Sequence, residues 1–215
     1  MNSPESPVFQ REIKVWDPLV RLFHWSLVAA FAIAWLTGDD DSRWHELSGY
    51  VVVGLVAVRI IWGFVGTRYA RFGDFVHSPA AIWGYTRDLL AGKARRYLGH
   101  NPLGGVMVVA LLVALLATGL TGIVLKAAEE GSGPFASVSA RVAGIGPEFI
   151  TRAVADDDEK DGSGKNGEEF GEELHEFFTD LTLLLVGLHI TGVLIGSLVH
   201  RENLIRAIFT GKKPA

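Results

Sequence analysis

The sequence has no cysteine among its 215 residues. This absence excludes disulfide bonds, thiolate zinc sites, iron–sulfur clusters and thioether-linked c-type haem. Any bound metal must therefore be held by histidine, methionine or carboxylate side chains. Segment 1–15 is polar and lacks the apolar stretch that precedes a signal-peptide cleavage site. We therefore expect the first apolar segment itself to direct insertion.

Charge is scarce over long stretches of the chain, although charged residues make up 20% of it. Four apolar segments are long enough to cross a hydrocarbon layer of about 30 Å. The second is interrupted by Arg59, and the third contains no charge. The pattern predicts an all-α integral membrane protein with a single membrane domain over residues 1–215. The predicted spans are about 18–37, 45–65, 103–125 and 174–199.

The distribution of basic residues predicts the orientation. Segment 66–101 has six basic and two acidic residues, and the segment after residue 200 is also mainly basic. The predicted outer loop, 126–173, has five basic and twelve acidic residues. Because Lys and Arg are enriched in cytoplasmic loops, both termini and segment 66–101 are expected in the cytoplasm. The prediction is an up-down-up-down four-helix transmembrane bundle.

Two histidines mark the fourth span, His175 and His189, fourteen residues apart. On an α-helix this spacing places them within about 40° of the same face and about 21 Å apart along the axis. Ionisable side chains inside a membrane are costly and tend to be functional. Two of them on one face suggest two stacked metal centres.

The predicted topology supplies each of these histidines with a partner from another span. His45 and His175 fall at the outer level, and His24 and His189 at the inner level; we call them the outer pair and the inner pair. Opposing imidazoles are what a six-coordinate haem iron requires, so the pairs predict two bis-histidine haem sites. Zinc is a weaker alternative because it takes three or four ligands in one cluster. Histidines that serve only packing are the other alternative.

Five further residues are candidates for cofactor binding. Four glycines would let a macrocycle approach the helix backbone, although glycine also serves close helix packing in membranes. Arg59 lies on the same helix face as His45, about 21 Å nearer the cytoplasm. Its guanidinium either pairs with haem propionates or extends to the membrane interface. The glycines are Gly49, Gly54, Gly187 and Gly192.

Three histidines remain, and all fall on the predicted cytoplasmic side: His77, His100 and His200. We expect surface or capping residues at these positions rather than ligands.

Six short motifs together resemble the bacterial cytochrome b561 family, in the branch that includes the b-type cytochrome subunits of nickel–iron hydrogenases. They cover most of the chain outside the N-terminus and the outer loop. The motifs are WDPLVRLFHW at 16–25, WHELSGY at 44–50, RIIWGFVG at 59–66, YLGHNPLGG at 97–105, GLHITG at 187–192 and HRENL at 200–204.

The resemblance implies a protein of the bacterial inner membrane that binds two b haems and passes electrons between a quinone pool and a redox partner. The family's ligand pattern corresponds to His24, His45, His175 and His189. The expected partner is a hydrogenase-like protein or a soluble cytochrome, and no nucleic-acid partner is expected. Whether the chain is itself an enzyme or a subunit of an oxidoreductase complex stays open.

Two alternatives to this electron-transfer function remain. The first is a stand-alone quinone-linked oxidoreductase that acts on a small species such as superoxide at the outer haem. The acidic residues of turn 38–44 oppose the approach of an anion there, with Arg43 as the single basic residue. The second is a membrane module without redox chemistry, such as a transporter or a scaffold.

Overall fold

The computed structural model describes residues 12–38, 42–130 and 163–214. Within them the chain is mostly helical, with one short antiparallel sheet in which Ile13 pairs with Lys213. In chain order the elements are β1 (Glu12–Lys14), α1 (Pro18–Leu36), α2 (Arg43–Val65), α3 (Phe72–Phe75), α4 (Pro79–Leu90), α5 (Pro102–Glu130), α6 (Ser163–Val199), α7 (Leu204–Thr210) and β2 (Lys212–Pro214).

Four of these helices are long and apolar enough to cross a membrane. The candidate spans are Pro18–Leu36, Arg43–Val65, Pro102–Ala127 and Phe170–Val199. They carry exposed apolar side chains, which suit contact with lipid rather than water. The predicted class of an all-helical membrane protein with four spans is thereby confirmed, apart from the small sheet, which the sequence pattern did not predict.

Among the described residues, both helices that flank the predicted outer loop extend into it. Helix α5 continues to Glu130 and helix α6 begins at Ser163, so both ends of segment 126–173 are helical. Hydropathy marks the end of an apolar span and does not report a helix that continues beyond it. The rest of the predicted loop, 131–162, lies outside the described residues, as do residues 39–41.

The chain divides into two compact units, which are described separately. Unit 1 consists of Met1–Trp25, Val58–Val108 and Gly187–Ala215, and unit 2 of Ser26–Ala57 and Val109–Val186. The expectation of a single membrane domain stays a prediction.

Asp17 holds unit 1 together at the start of α1. Its Oδ1 accepts a hydrogen bond from the Val20 amide at 2.9 Å, which caps the helix. Its Oδ2 accepts hydrogen bonds from Trp62 Nε1 at 3.2 Å and from Thr67 Oγ1 at 2.6 Å. One carboxylate therefore joins the beginning of α1 to the end of α2.

The sequence Asn101-Pro102 starts α5 in unit 1. Asn101 Oδ1 accepts a hydrogen bond from the Gly104 amide at 2.7 Å, and proline suits the first helical position because its missing N–H needs no partner. A Cβ at Gly105 would lie 2.3 Å from the Phe75 carbonyl oxygen. Glycine at this position therefore allows α5 to pack directly on the backbone of α3.

Buried ion pairs anchor the C-terminal strand of unit 1. Lys213 is 5% exposed, and its Nζ lies 3.4 Å from Glu202 Oε2. Arg96 donates to the other oxygen of Glu202. Burial lowers the pKa of Lys213, and the charge and hydrogen bond of Glu202 oppose this shift.

In unit 2, a threonine pair and a glycine mark the close approach of helices. Thr182 is fully buried, and its hydroxyl lies 3.1 Å from the hydroxyl of Thr118 on α5. A Cβ at Gly119 would lie 2.3 Å from Val53 Cγ2 on α2. Small residues and hydroxyl pairs of this kind bring transmembrane helices together.

Candidate haem sites

The outer pair lies within unit 2. Its imidazoles, His45 on α2 and His175 on α6, have ring centroids 6.1 Å apart at an interplanar angle of 85°. A metal lies about 2 Å from each ligating imidazole nitrogen, so two rings on opposite sides of one metal have centroids about 6 Å apart. The separation of the outer pair thus suits one metal ion between the rings.

Hydrogen bonds define which nitrogen of each outer histidine is available. His45 Nδ1 lies 2.8 Å from the Ala34 carbonyl oxygen. His175 Nδ1 lies 3.0 Å from the Thr118 carbonyl oxygen and 3.2 Å from the Thr121 hydroxyl. Because a carbonyl only accepts, each Nδ1 donates, and each Nε2 keeps its lone pair. Backbone carbonyls commonly orient metal-ligating histidines in this way.

Gly122 on α5 makes room for His175. A Cβ at Gly122 would lie 2.9 Å from His175 Cε1 and 3.2 Å from its Nδ1. Gly122 therefore contributes to the position of the ring, although the sequence pattern did not single it out. Its spacing of four residues from Thr118 places both on one face of α5 and is the signal that was available.

The inner pair lies within unit 1. The centroids of His24 on α1 and His189 on α6 are 6.5 Å apart at an interplanar angle of 51°. His24 Nδ1 is buried without a hydrogen-bond partner. This pair also has the separation that one metal between two imidazoles requires.

Arg59 lies on α2 in the same unit and is only 3% exposed. Its Nη2 donates to the Ala70 carbonyl oxygen at 3.0 Å, and its Nη1 is buried without a partner. The guanidinium carbon lies 5.6 Å from the ring centroid of Phe72 and 5.9 Å from that of Phe75. The guanidinium is therefore enclosed by protein groups, and it reaches the segment that follows α2.

His100 differs from the expectation of a surface or capping residue. Its ring lies between Trp16 and Phe75, with both centroid separations at 4.7 Å. Its Nδ1 is buried without a partner. Burial, with smaller contributions from the charges of Arg59 and Lys213, lowers the pKa of His100 to about 3. The imidazole is therefore neutral at physiological pH.

The other two histidines outside the pairs, His77 and His200, are hydrogen-bonded to neighbouring groups. His77 Nδ1 donates to the Phe75 carbonyl oxygen at 2.7 Å. His200 follows the last turn of α6, and its Nε2 lies 3.5 Å from the Tyr85 hydroxyl. Both side chains are partly exposed.

The four candidate glycines have open space where a Cβ would stand, with nothing within 4 Å apart from the chain neighbours and the backbone of the same helix. Two of them lie near a histidine on the helix surface, at about 40° from His45 for Gly49 and about 60° from His189 for Gly192. Gly54 and Gly187 lie about 180° and 160° around the helix from the same histidines. The space suits a macrocycle on the histidine face and equally suits lipid on the opposite face.

The donor set fits haem better than a metal ion bound by protein alone. Within residues 12–38, 42–130 and 163–214, no group of three or more His, Cys, Asp or Glu side chains has the geometry of a metal site. Zinc would need such a group. Each histidine pair could supply the two imidazoles that a b haem takes from the protein, and the unpartnered Arg59 Nη1 is a donor suited to the haem carboxylates.

Four membrane-spanning helices with paired imidazoles are typical of b-type membrane cytochromes. A family model described as prokaryotic cytochrome b561 matches residues 15–211. The chain belongs to this family, which implies b-type haem and a role in electron transport.

Two curated relatives are both described as probable Ni/Fe-hydrogenase B-type cytochrome subunits. The protein from Azotobacter chroococcum mcd 1 is 26% identical over 156 residues, covering 59% of this chain and 65% of the relative. The protein from Azotobacter vinelandii is 28% identical over 153 residues, covering 58% of this chain and 62% of the relative. The matched part is thus under two thirds of either relative. No solved structure matches the chain.

Proposed function

We propose that this chain carries electrons across the bacterial inner membrane through two b haems, between a quinone pool and a redox partner protein. His24 and His189 would hold one haem, and His45 and His175 the other. The centroid separations of 6.5 and 6.1 Å support this proposal most directly, because both suit a six-coordinate iron between two imidazoles.

The residues around the outer pair favour electron transfer over ligand activation. When bound, a b haem supplies a one-electron ferric/ferrous couple. His45 and His175 would occupy both axial positions and leave none for oxygen or substrate. The carbonyls of Ala34 and Thr118 hold the two rings in one tautomer, which limits rearrangement when the charge at the site changes.

The orientation of the proposed electron path follows from charge. The segment between α2 and α5 is basic, which favours the cytoplasm for it and for both termini, in an up-down-up-down bundle. The outer pair then lies toward the outside, where the redox partner would dock. The names of the two relatives favour a hydrogenase as that partner.

The test is the haem content and spectrum of the purified chain. We expect a dithionite-reduced b-type spectrum, with about two haems per chain. His175→Ala should remove one haem and leave the spectrum of the other, and His24→Ala should do the reverse. His200→Ala is the matched control because His200 ends the same helix and is not a proposed ligand; it should keep both haems.

One haem per chain in the unmodified protein would contradict the two-site proposal. Two haems in both His175→Ala and His24→Ala would contradict the ligand assignment. Rapid reaction of the isolated chain with superoxide and a quinone analogue, without a partner, would favour the stand-alone oxidoreductase instead.

A further inference from the structure

Arg59 is a buried cation whose counter-ion is missing from the described protein groups. Its side chain makes one hydrogen bond to a backbone carbonyl, and its Nη1 makes none. In the described part of the chain, no carboxylate lies within ion-pair distance of it. A buried charge without a paired anion is strongly unfavourable. The geometry therefore calls for an anion from another molecule.

The carboxylates of unit 1 near this position are already engaged. Asp17 accepts hydrogen bonds from Val20, Trp62 and Thr67. Glu202 pairs with Lys213 and Arg96. Rotation of either carboxylate toward Arg59 would break these bonds, so neither is free to form a direct ion pair with the guanidinium.

His100 adds a second unused donor beside the same aromatic ring. The Phe75 ring contacts His100 at 4.7 Å between centroids and lies 5.9 Å from the Arg59 guanidinium carbon. Both His100 Nδ1 and Arg59 Nη1 are buried and without partners. A neutral imidazole retains one N–H, so His100 can donate one hydrogen bond without adding a charge.

These two donors share unit 1 with the inner pair. Their contacts with the Phe75 ring place the two donors side by side in that unit. A haem carries two propionate carboxylates on one edge of its macrocycle. Arginine binds carboxylate in a planar, two-pronged arrangement, and an imidazole N–H adds a single donor.

We propose that Arg59 and His100 together form the binding site for the propionates of the haem held by His24 and His189. The proposal rests on the proposed function. Arg59 donates through Nη1, and His100 donates through its Nδ1–H, which Trp16 and Phe75 hold in place. Both are positioning residues: they neutralise the propionates and orient the macrocycle, and they do not ligate iron.

This arrangement has a consequence for the redox potential of one haem alone. Propionate charge stabilises ferric over ferrous iron, and donors that neutralise it raise the midpoint potential. Loss of either donor should therefore lower the midpoint potential of the inner-pair haem. The outer-pair haem should keep its potential and serves as an internal reference.

The experiment is a spectroelectrochemical titration of the full-length holoprotein in lipid nanodiscs. His100→Phe preserves the aromatic packing between Trp16 and Phe75 and removes the donor, so it should lower the midpoint potential of one haem. His100→Gln restores an N–H donor and should recover part of the shift. His77→Phe, a nearby histidine bonded to backbone, is the matched control and should leave both potentials unchanged.

Arg59→Gln is the second variant, and it should lower the potential of the same haem more than His100→Phe does, because it removes a full charge. His24→Ala identifies which haem is affected.

If His24→Ala retains both haems, the ligand assignment fails. If His24→Ala loses one haem and both His100→Phe and Arg59→Gln leave its potential unchanged, the propionate site alone is overturned. If His100→Phe does not accumulate, Arg59→Gln and His100→Gln test the proposal instead. Unchanged midpoint potentials in both of these variants would overturn it.

Discussion

Because Gly122 has no side chain beyond a hydrogen atom, α5 can lie close to the imidazole of His175. Glycine leaves room for the ring, and the ring in turn donates to the Thr118 carbonyl one turn earlier on the same helix. The position of the His175 ring therefore depends on its neighbours on α5 as well as on the histidine itself. In this site they are a glycine and a backbone carbonyl, neither of which has chemistry of its own.

Gly122→Ala should weaken haem binding at the outer pair. The added methyl group would lie 2.9 Å from His175 Cε1, so the ring must move away from the Thr118 carbonyl. Loss of such an orienting bond typically costs about tenfold or more in metal affinity. The measurement is haem retained per chain during gel filtration with apomyoglobin as a haem acceptor.

Gly84→Ala is the control for this substitution, since Gly84 lies inside α4 with open space at its Cβ position. It should retain both haems. Equal retention of haem by the Gly122→Ala and unmodified proteins would show that the close approach has no role in holding His175.

At the scale of helices, the hydrogen bonds of Asp17 join two membrane-spanning helices and the segment that follows the second. Asp17 caps α1 and also binds groups at the end of α2 and just after it. Burial by itself would raise the pKa of Asp17, but the hydrogen bonds from Thr67, Val20 and Trp62 outweigh it, and the net shift is downward. The ionised carboxylate is thus the form that the folded state prefers.

Asp17→Asn should lower the free energy of unfolding by about 2 kcal/mol at pH 7, since hydrogen bonds to a charged group are worth about 1.5–3 kcal/mol. A lowered folded-state pKa gives stability that is present above the unfolded pKa of about 4 and lost as the pH falls through the folded value. The difference between the two proteins should therefore shrink in acid. Unfolding in SDS at pH 7 and at a series of pH values below 4 measures it.

Asp74→Asn supplies the comparison, because Asp74 forms a partly exposed pair with Arg71 at 2.9 Å. Exposed i,i+3 pairs contribute only about 0.3–0.5 kcal/mol. An Asp17→Asn effect as small as that of Asp74→Asn would mean that the carboxylate does not join α1 to α2.

At the scale of the whole molecule, the proposed function depends on which side of the membrane each pair faces. The absence of cysteine makes this measurable with single introduced thiols. Arg43 and Arg95 suit the purpose, since both are exposed and lie at opposite predicted sides of the membrane.

Arg43→Cys should react with a membrane-impermeant maleimide in intact spheroplasts. Arg95→Cys should react only after the membrane is permeabilised, because basic segments stay in the cytoplasm. The two substitutions remove the same side chain and are controls for each other. The reverse labelling pattern would place the basic segment outside and invert the proposed direction of the electron path.

The helices and the pairing of histidines were accessible from sequence because both depend on regular geometry. Hydropathy located four spans to within a few residues at most boundaries. The helical repeat and antiparallel order predicted that His24 would meet His189 and that His45 would meet His175, and the structure brings both pairs together. Their role as iron ligands stays a prediction.

The connecting segments were not accessible in the same way. The short sheet and the packing of His100 depend on contacts between segments far apart in sequence, such as Ile13 with Lys213 and Trp16 with His100. Hydropathy and charge describe a residue's preference for water or lipid, and they do not report such contacts. A histidine before Asn101-Pro102 therefore looked like a surface residue.

By itself, the sequence determined the membrane class, the four candidate spans and which histidines would meet, because these follow from hydrophobic length and helical periodicity. The tertiary structure alone decided that Arg59 is buried without a counter-ion and that His100 lies beside it with an unused donor. The physical reason is that desolvation and unpaired hydrogen-bond donors are properties of a packed environment. Such an environment exists only after distant segments have come together.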